Sequence, residues 1–203
     1  MQQTSLFFRR SPPASPASPA NDLSGDAALL ARIRARDMRA FEDLYRDYHP
    51  RLTRFLMNIL RHPHLTEEAL QDTLMVVWNK PESYNGASKV STWIFAIAYR
   101  IALKARSRHK EPLDDEPVRL APSAEAGADE QIGQRQTQAL LFKAISGLSA
   151  DHRAVVDLTY FHHLGYVEIA EILRCPVGTV KTRMHHARRH LKSTLAGQLS
   201  DWL

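Results

Sequence analysis

The stretch CPVGTVKTRMHHARRHLK, residues 175–192, interleaves histidines with lysine and arginine and contains the only cysteine of the chain. Its histidines could ligate a metal, because His186 and His190 are four residues apart and share one helix face, as zinc-binding pairs do. Further ligands would have to come from that cysteine, His162 or His163. No second cysteine, HExxH pattern or acidic cluster accompanies them. We therefore predict no metal site and no cofactor, and whether His186 and His190 ever hold a metal together stays open.

The same stretch suits contact with DNA. Val180, Met184, Ala187 and Leu191 are spaced i, i+4, i+7 and i+11, which predicts an apolar stripe along one side of a helix. The other side chains then face outward, where lysine and arginine can pair with phosphates or guanine edges and threonine can offer a hydroxyl or a methyl group. The predicted contacts to the DNA duplex are Thr179, Lys181, Thr182, Arg183, His185, His186, Arg188 and Arg189.

A second candidate surface lies on the predicted helix STWIFAIAYRIALKARSR. With the Ile94 side turned inward, Trp93, Arg100 and Lys104 fall together on a neighbouring flank at 100° per residue. Cations pair with phosphates, and an unstacked base can lie on an aromatic ring, so the flank favours single-stranded nucleic acid. The alternative is that Trp93 is a core residue and the two cations are merely solvated.

Helices must position both surfaces, because apolar residues recur at steps of three and four and no stretch alternates with period two. The segment YVEIAEILR, the tight turn CPVG and the basic helix after it form a helix-turn-helix candidate. The acidic stretch EPLDDEPVRLAPSAEAGADEQ lacks periodicity and reads as a linker. We predict an all-α fold of two small helical domains, 25–110 and 139–203, joined by an acidic flexible linker, 111–138, after a disordered Pro/Ser/Ala-rich tail, 1–24.

The charge distribution favours a polyanionic partner. Residues 25–110 carry 15 basic and 9 acidic side chains, the linker carries 2 and 7, and residues 139–203 carry 8 and 5. Basic blocks of this kind suit nucleic acid, although a solvated basic surface is the alternative. No apolar run is long enough to cross a bilayer, so no membrane insertion is expected. A lone cysteine fits a reducing cytoplasm.

These residues resemble a known family, the extracytoplasmic-function sigma factors of bacterial RNA polymerase, which keep only the second and fourth sigma regions. In the first half the resemblance lies in FEDLYRDYHPRLTRFL, EEALQDTLMVVW and STWIFAIAYRIALKARSR. In the second half it lies in LSADHRAVVDLTY, YVEIAEIL and PVGTVKTRMHHARRHL. It covers about residues 38–110 and 138–195.

The resemblance implies a sigma factor, not an enzyme, that binds core RNA polymerase and directs promoter-specific initiation. The helix of residues 66–80 would dock on the polymerase clamp, with Gln71 and Asp72 as candidate contacts. The C-terminal domain would read the minus 35 element as duplex. The N-terminal domain would melt the minus 10 element and capture one strand, with contacts from Asn85, Ser88, Lys89, Trp93, Arg100 and Lys104.

Two further implications of the resemblance concern partners and departures. The family commonly has an anti-sigma factor, so such a partner is expected. Many members carry Asn and Asp where Arg100 and Lys104 align here, which shifts this surface toward cations. The competing hypothesis is a stand-alone helix-turn-helix regulator, which explains the last helix but leaves the Trp93 flank and the acidic linker without a role.

Overall fold

The computed structural model describes residues 21–108, 140–141 and 143–200, and within these ranges it describes the side chains of residues 25–196. Within these ranges every regular element is helical and no strand occurs, which confirms the predicted all-α class. The elements are α1 (Asn21–Arg34), α2 (Met38–Leu60), α3 (Pro63–Asn79), a 3₁₀ turn (Pro81–Ser83), α4 (Val90–Arg108), α5 (Ala150–Tyr160), α6 (Tyr166–Leu173) and α7 (Val177–Ser200). Residues 143–146 are also helical.

The predicted linker, 111–138, and most of the predicted tail, 1–24, lie outside the described residues. The last four residues of that tail, 21–24, belong to α1 rather than to an irregular segment. α1 buries Leu30 and Ile33 against the rest of the first half. The helical order of the chain therefore begins slightly earlier than its composition indicates.

α2 is one helix despite the proline in its middle. The carboxylate of Asp37 caps its first turn by accepting hydrogen bonds from the Arg39 and Ala40 amides, as an N-cap aspartate should. Pro50 lies within the helix, and Arg61 ends it in the left-handed conformation. Apolar residues at steps of three and four predict a buried stripe of Phe41, Leu44, Tyr45, Tyr48, Leu52, Phe55, Leu56 and Ile59. Six of these eight side chains are buried, whereas Phe41 is half-buried and Tyr45 is 44% exposed.

Two predicted helix boundaries are wrong, each because another residue caps the helix. Thr66 is followed by two glutamates, a pattern that predicts Thr66 as the N-cap of α3, but its side chain is buried inside the helix. α3 starts at Pro63, whose fixed φ suits a first turn, and the His62 ring accepts a hydrogen bond from the Leu65 amide. Glycine commonly follows the end of a helix, so Gly165 predicts where α5 stops, but it instead caps the start of α6, where its amide donates to Glu168 Oε2 at 2.8 Å. Ser149 caps α5 as predicted.

The helix-turn-helix is formed by α6 and α7. Arg174 ends α6 in the left-handed conformation, and the amide of Cys175 donates to the Ala170 carbonyl, which closes the turn. The stripe that packs α7 is buried at Val180, Met184 and Ala187, as predicted. The opposite side of α7 is consequently free to face solvent.

The two halves of the chain pack against each other. α2 lies on α5 and α4 lies on α6, and a single apolar cluster runs through residues of both halves. The predicted domains are therefore in contact here, an arrangement that periodicity along the chain does not report.

Candidate nucleic-acid interface

The outward side of α7 carries most of the predicted duplex contacts. Lys181, Thr182, His185, His186 and Arg189 are exposed, and Thr179 is half-buried near the start of the helix. The exposed members sit on the side opposite the buried stripe, because the two sets differ by about half a helical turn. The helix thus presents cations, imidazoles and a threonine on one accessible face, which we call the α7 face.

Arg183 differs from its neighbours on α7. Its guanidinium forms an ion pair with Asp151 at the start of α5, and its Nη1 lies 3.8 Å from the Cys175 sulfur. Asp151 also accepts a hydrogen bond of 3.1 Å from the hydroxyl of Tyr99 on α4. Burial, followed by the charge of Asp151, raises the pKa of Tyr99 to about 12. Arg183 is therefore engaged in packing α7 onto α5, apart from the exposed set.

Arg188 is also partly engaged within the protein. Its Nε donates to the hydroxyl of Tyr160 at 3.2 Å, and its guanidinium lies 6.0 Å from the centre of that ring. Tyr160 remains 49% exposed, so the pair sits at the edge of the α7 face. Stacking of this kind holds the guanidinium in place while leaving its other N–H groups available.

On the first half, the Trp93 flank is only partly accessible. Trp93 is half-buried and packs on Tyr84, with ring centres 5.6 Å apart. Arg100 and Lys104 are exposed, and Arg100 Nε donates to the Ala96 carbonyl. Burial, followed by repulsion from Arg174 of the second half, lowers the pKa of the Arg100 guanidinium. Trp93 is thus neither fully buried nor fully exposed. Its packing on Tyr84 fits a core role, and its exposed part fits base stacking.

The loop before α4 has a defined shape. Asn85 Oδ1 accepts from the Ala87 amide at 3.0 Å, and the Tyr84 hydroxyl donates to the Ser88 carbonyl at 2.6 Å. Gly86 has φ of +77°, which a residue with a side chain rarely adopts. Lys89 is not directed to solvent, because its Nζ lies 2.8 Å from Glu168 Oε1 on α6.

α3 presents an exposed face beside a groove. Gln71 and Asp72 are exposed, and the Gln71 amide donates to Glu67 at 3.1 Å. Met75, which follows one turn later, is 52% exposed and lines the groove between α3 and α4 together with Asp72. Met75 was not predicted from the sequence. Its place off the apolar stripe of its helix could have indicated an exposed apolar side chain.

A buried polar cluster joins the two halves and was missed from the sequence. Asp157 of α5 accepts hydrogen bonds from Asn58 Nδ2 at 2.6 Å and from Arg54 Nε at 3.3 Å, both on α2. The ring of His162 lies 3.0 Å from the other carboxylate oxygen and 4.6 Å, centre to centre, from the Phe95 ring of α4. The position of Asp157 inside the apolar run of α5 could have indicated a buried carboxylate with polar partners. We call these side chains the Asp157 cluster.

Two segments of the chain match models of known protein families. Residues 44–111 match the family model described as Sigma-70 region 2, and residues 138–191 match the one described as Sigma-70, region 4. The ECF RNA polymerase sigma factor RpoE of Cereibacter sphaeroides is 29% identical over 178 residues, covering 87% of this chain and 98% of that protein. The chain belongs to the extracytoplasmic-function family of sigma factors.

Other sigma factors agree in sequence and fold. SigK of Mycobacterium tuberculosis is 28% identical and covers 85% of this chain and 95% of its own length. The sigma factor RpoE of Bartonella quintana, solved with the anti-sigma factor NepR, superposes with a TM-score of 0.59 at 28% identity, covering 77% of this chain and 96% of that one. CnrH, solved with the cytosolic domain of CnrY, has a TM-score of 0.61 at 18% identity, covers 85% of this chain and 98% of that one, and supports the fold alone.

As a sigma factor, the protein binds core RNA polymerase and promoter DNA and directs promoter-specific transcription initiation, and it is not a stand-alone regulator. Sigma factors are initiation factors without enzymatic activity of their own, so the polymerase performs the chemistry. No helix in the described part of the chain is long and apolar enough to cross a membrane.

Proposed function

We propose that the two halves of this sigma factor read different promoter elements. The 139–203 half reads the minus 35 duplex through the α7 face, and the 25–110 half melts and holds the minus 10 strand through the loop before α4 and the Trp93 flank. The exposed side chains of the α7 face carry the proposal, since a helix-turn-helix offers this side of its second helix to the major groove. The α3 face with Gln71, Asp72 and Met75 docks on the polymerase.

The proposed assignment requires the two halves to move apart. The centres of the two elements lie about 25 base pairs apart, which is roughly 85 Å of duplex at 3.4 Å per base pair. A compact chain of this length has a radius of gyration of about 17 Å. With Lys89 only 2.8 Å from Glu168, the packed halves do not reach both elements. The contact between α2 and α5 therefore opens on the promoter.

The contact between the halves combines an apolar cluster with a polar one, and the polar cluster suits separation. Asp157 and Arg54 are charged, and Asn58 can recover hydrogen bonds from water once the halves part. Interfaces between domains of one chain are commonly more polar than permanent ones and permit relative motion. Lys89, freed from Glu168, becomes available to the minus 10 strand.

The closed arrangement also offers a form that a regulator could hold. The Bartonella quintana relative was solved with an anti-sigma factor. We propose that this chain likewise has an anti-sigma partner and that both act in the cytoplasm with the polymerase.

The test of the proposed function is transcription by purified core polymerase on a library of promoter fragments, with and without this protein. Specific initiation only in its presence supports the proposal, and sequencing the active fragments gives both elements. Start sites that depend on one element alone would contradict the division between the two halves.

A further inference from the structure

A concave pocket lies between the start of α5 and the later turns of α7. Three histidines line it, and only His186 of the three is among the predicted duplex contacts. Its lining combines three imidazoles, one guanidinium and two hydroxyls with the turn before α5. The residues are Gly147, Leu148, Ser149, His152, His186, Arg189, His190 and Ser193. We call it the histidine pocket.

The polar groups of the histidine pocket converge. His152 Nδ1 lies 2.6 Å from the Ser149 hydroxyl, and the His152 and His186 rings are perpendicular with centres 6.3 Å apart. Arg189 Nη2 lies 3.4 Å from His186 Nδ1. The His190 ring lies over Gly147, where an added Cβ would come within 2.8 Å of its Nε2. The glycine is thus what lets His190 close the pocket.

The charge of the pocket favours an anion. The nearest carboxylate on α5, Asp151, is already paired with Arg183 and bonded by Tyr99, so its charge is largely compensated. Burial, followed by repulsion from His186 and Arg183, lowers the pKa of His152, with a smaller opposing effect of Asp151 and a further lowering by His190. Without a ligand, the pocket therefore resists protonation of the His152 imidazole.

A phosphate fits this pocket better than a metal ion. Among the described residues, no group of three or more His, Cys, Asp or Glu side chains is arranged to hold a metal. Arg189 would repel a metal cation, whereas a guanidinium and protonated imidazoles are good phosphate donors. Since His186 and Arg189 also belong to the α7 face, the pocket continues that face toward α5.

We propose that the histidine pocket binds a backbone phosphate of the duplex on which α7 lies, through His152, His190 and Arg189. The inference rests on the proposed function in placing that duplex at the minus 35 element. The contact adds affinity without sequence preference and fixes the position of α7 in the groove.

The proposed contact makes duplex binding depend on pH. A phosphate placed among the imidazoles favours their charged form, so binding takes up protons. Affinity then rises as the pH falls from 8 to 6, by up to about tenfold per pH unit for each imidazole that takes up one proton on binding. Lysine and arginine contribute nothing to this rise, because they stay charged throughout.

The test measures the binding of the full chain to a 25-base-pair duplex of mixed sequence by fluorescence anisotropy, in EDTA, at pH 6 and 8 and at several salt concentrations. The double variant His152→Gln, His190→Gln is compared with the wild type and with His64→Gln, an exposed histidine on α3. His185 and His186 remain in all three proteins, so their contribution cancels. No polymerase or promoter is needed, so failure here is distinguishable from failure of the sigma role.

The wild type and His64→Gln should bind several-fold more tightly at pH 6. The double variant should lose most of this gain in affinity at pH 6. Its plot of log affinity against log salt concentration should be less steep by about 0.9, the value for one phosphate contact. An unchanged pH response and slope would overturn the proposal. An inorganic phosphate titration, followed by histidine ring resonances, provides the second arm. Shifts of His152 and His190 with free phosphate but not with duplex would also overturn it.

Discussion

The two surfaces that we propose contact DNA differ in how accessible they are in the packed chain. On α7, most predicted contacts face solvent, and only Arg183 is committed to an ion pair within its own half. On the first half, Lys89 is bound to α6 and Arg100 lies near the like charge of Arg174. The proposed duplex-binding surface is therefore preformed, whereas the proposed strand-binding surface is partly occupied by the other half. The order of events should therefore be duplex contact first and strand capture after the halves part.

The largest expected effect comes from breaking the Asp157 cluster. Asp157→Ala leaves Arg54, Asn58 and the buried His162 without their shared acceptor, and removing one partner of a buried pair costs about 3 kcal/mol. Urea denaturation followed by circular dichroism measures the loss. Asp43→Ala, which removes an exposed pair with Arg46, is the control and should change stability by less than about 0.5 kcal/mol. Equal losses in both variants would mean that the cluster does not hold the halves together.

Trp93→Ala should reduce promoter melting about tenfold or more, since stacking of one base is worth about 1–3 kcal/mol. Permanganate reactivity of unpaired thymines in the polymerase complex measures the opening. Trp93→Tyr keeps an aromatic ring and should restore much of it. If Trp93→Ala instead lowers the unfolding temperature while the folded fraction melts DNA normally, the residue serves only to pack on Tyr84.

The neighbouring cations Lys181 and Arg183 should separate binding from stability. Lys181→Ala should leave the unfolding temperature unchanged, weaken duplex binding, and lower the salt slope by about 0.9. Arg183→Ala should also weaken duplex binding, because it removes the ion pair with Asp151 that helps pack α7 onto α5. It should lower the free energy of unfolding by about 1 kcal/mol, since both side chains of the pair are partly exposed. Thermal unfolding with anisotropy binding gives both numbers. Identical behaviour of the two variants would remove the distinction between them.

The smallest effect is expected from the ion pair between the halves. Lys89→Gln removes one partly exposed pair, worth about 1 kcal/mol or less. It should slightly raise the fraction of separated halves, detected as faster hydrogen exchange in α6. Glu82→Gln, an exposed change in the same region, serves as the control. Slower exchange after Lys89→Gln would contradict the assigned role of the pair.

The sequence predicts the helices well and the contacts between halves poorly. Spacing along α2 and α7 identifies their buried stripes because periodicity records which side of a helix is covered. It does not record what covers it, so nothing in α2 predicts that Asn58 meets Asp157, 99 residues away. The prediction of helix caps fails for a different reason. His62 followed by Pro63 competes with Thr66 for the start of α3, and both patterns are favourable locally.

The distance between the two halves shows most directly whether they separate on the promoter. Spin labels at Asp47→Cys on α2 and Glu171→Cys on α6, both exposed, can be placed in a Cys175→Ser background. Double electron–electron resonance then compares the free chain with the polymerase complex on an active promoter fragment. We expect a short distance in the free chain and one longer by several tens of ångströms on the promoter. The same short distance in a complex that initiates transcription would show that the halves stay packed on the promoter, contrary to the proposed separation.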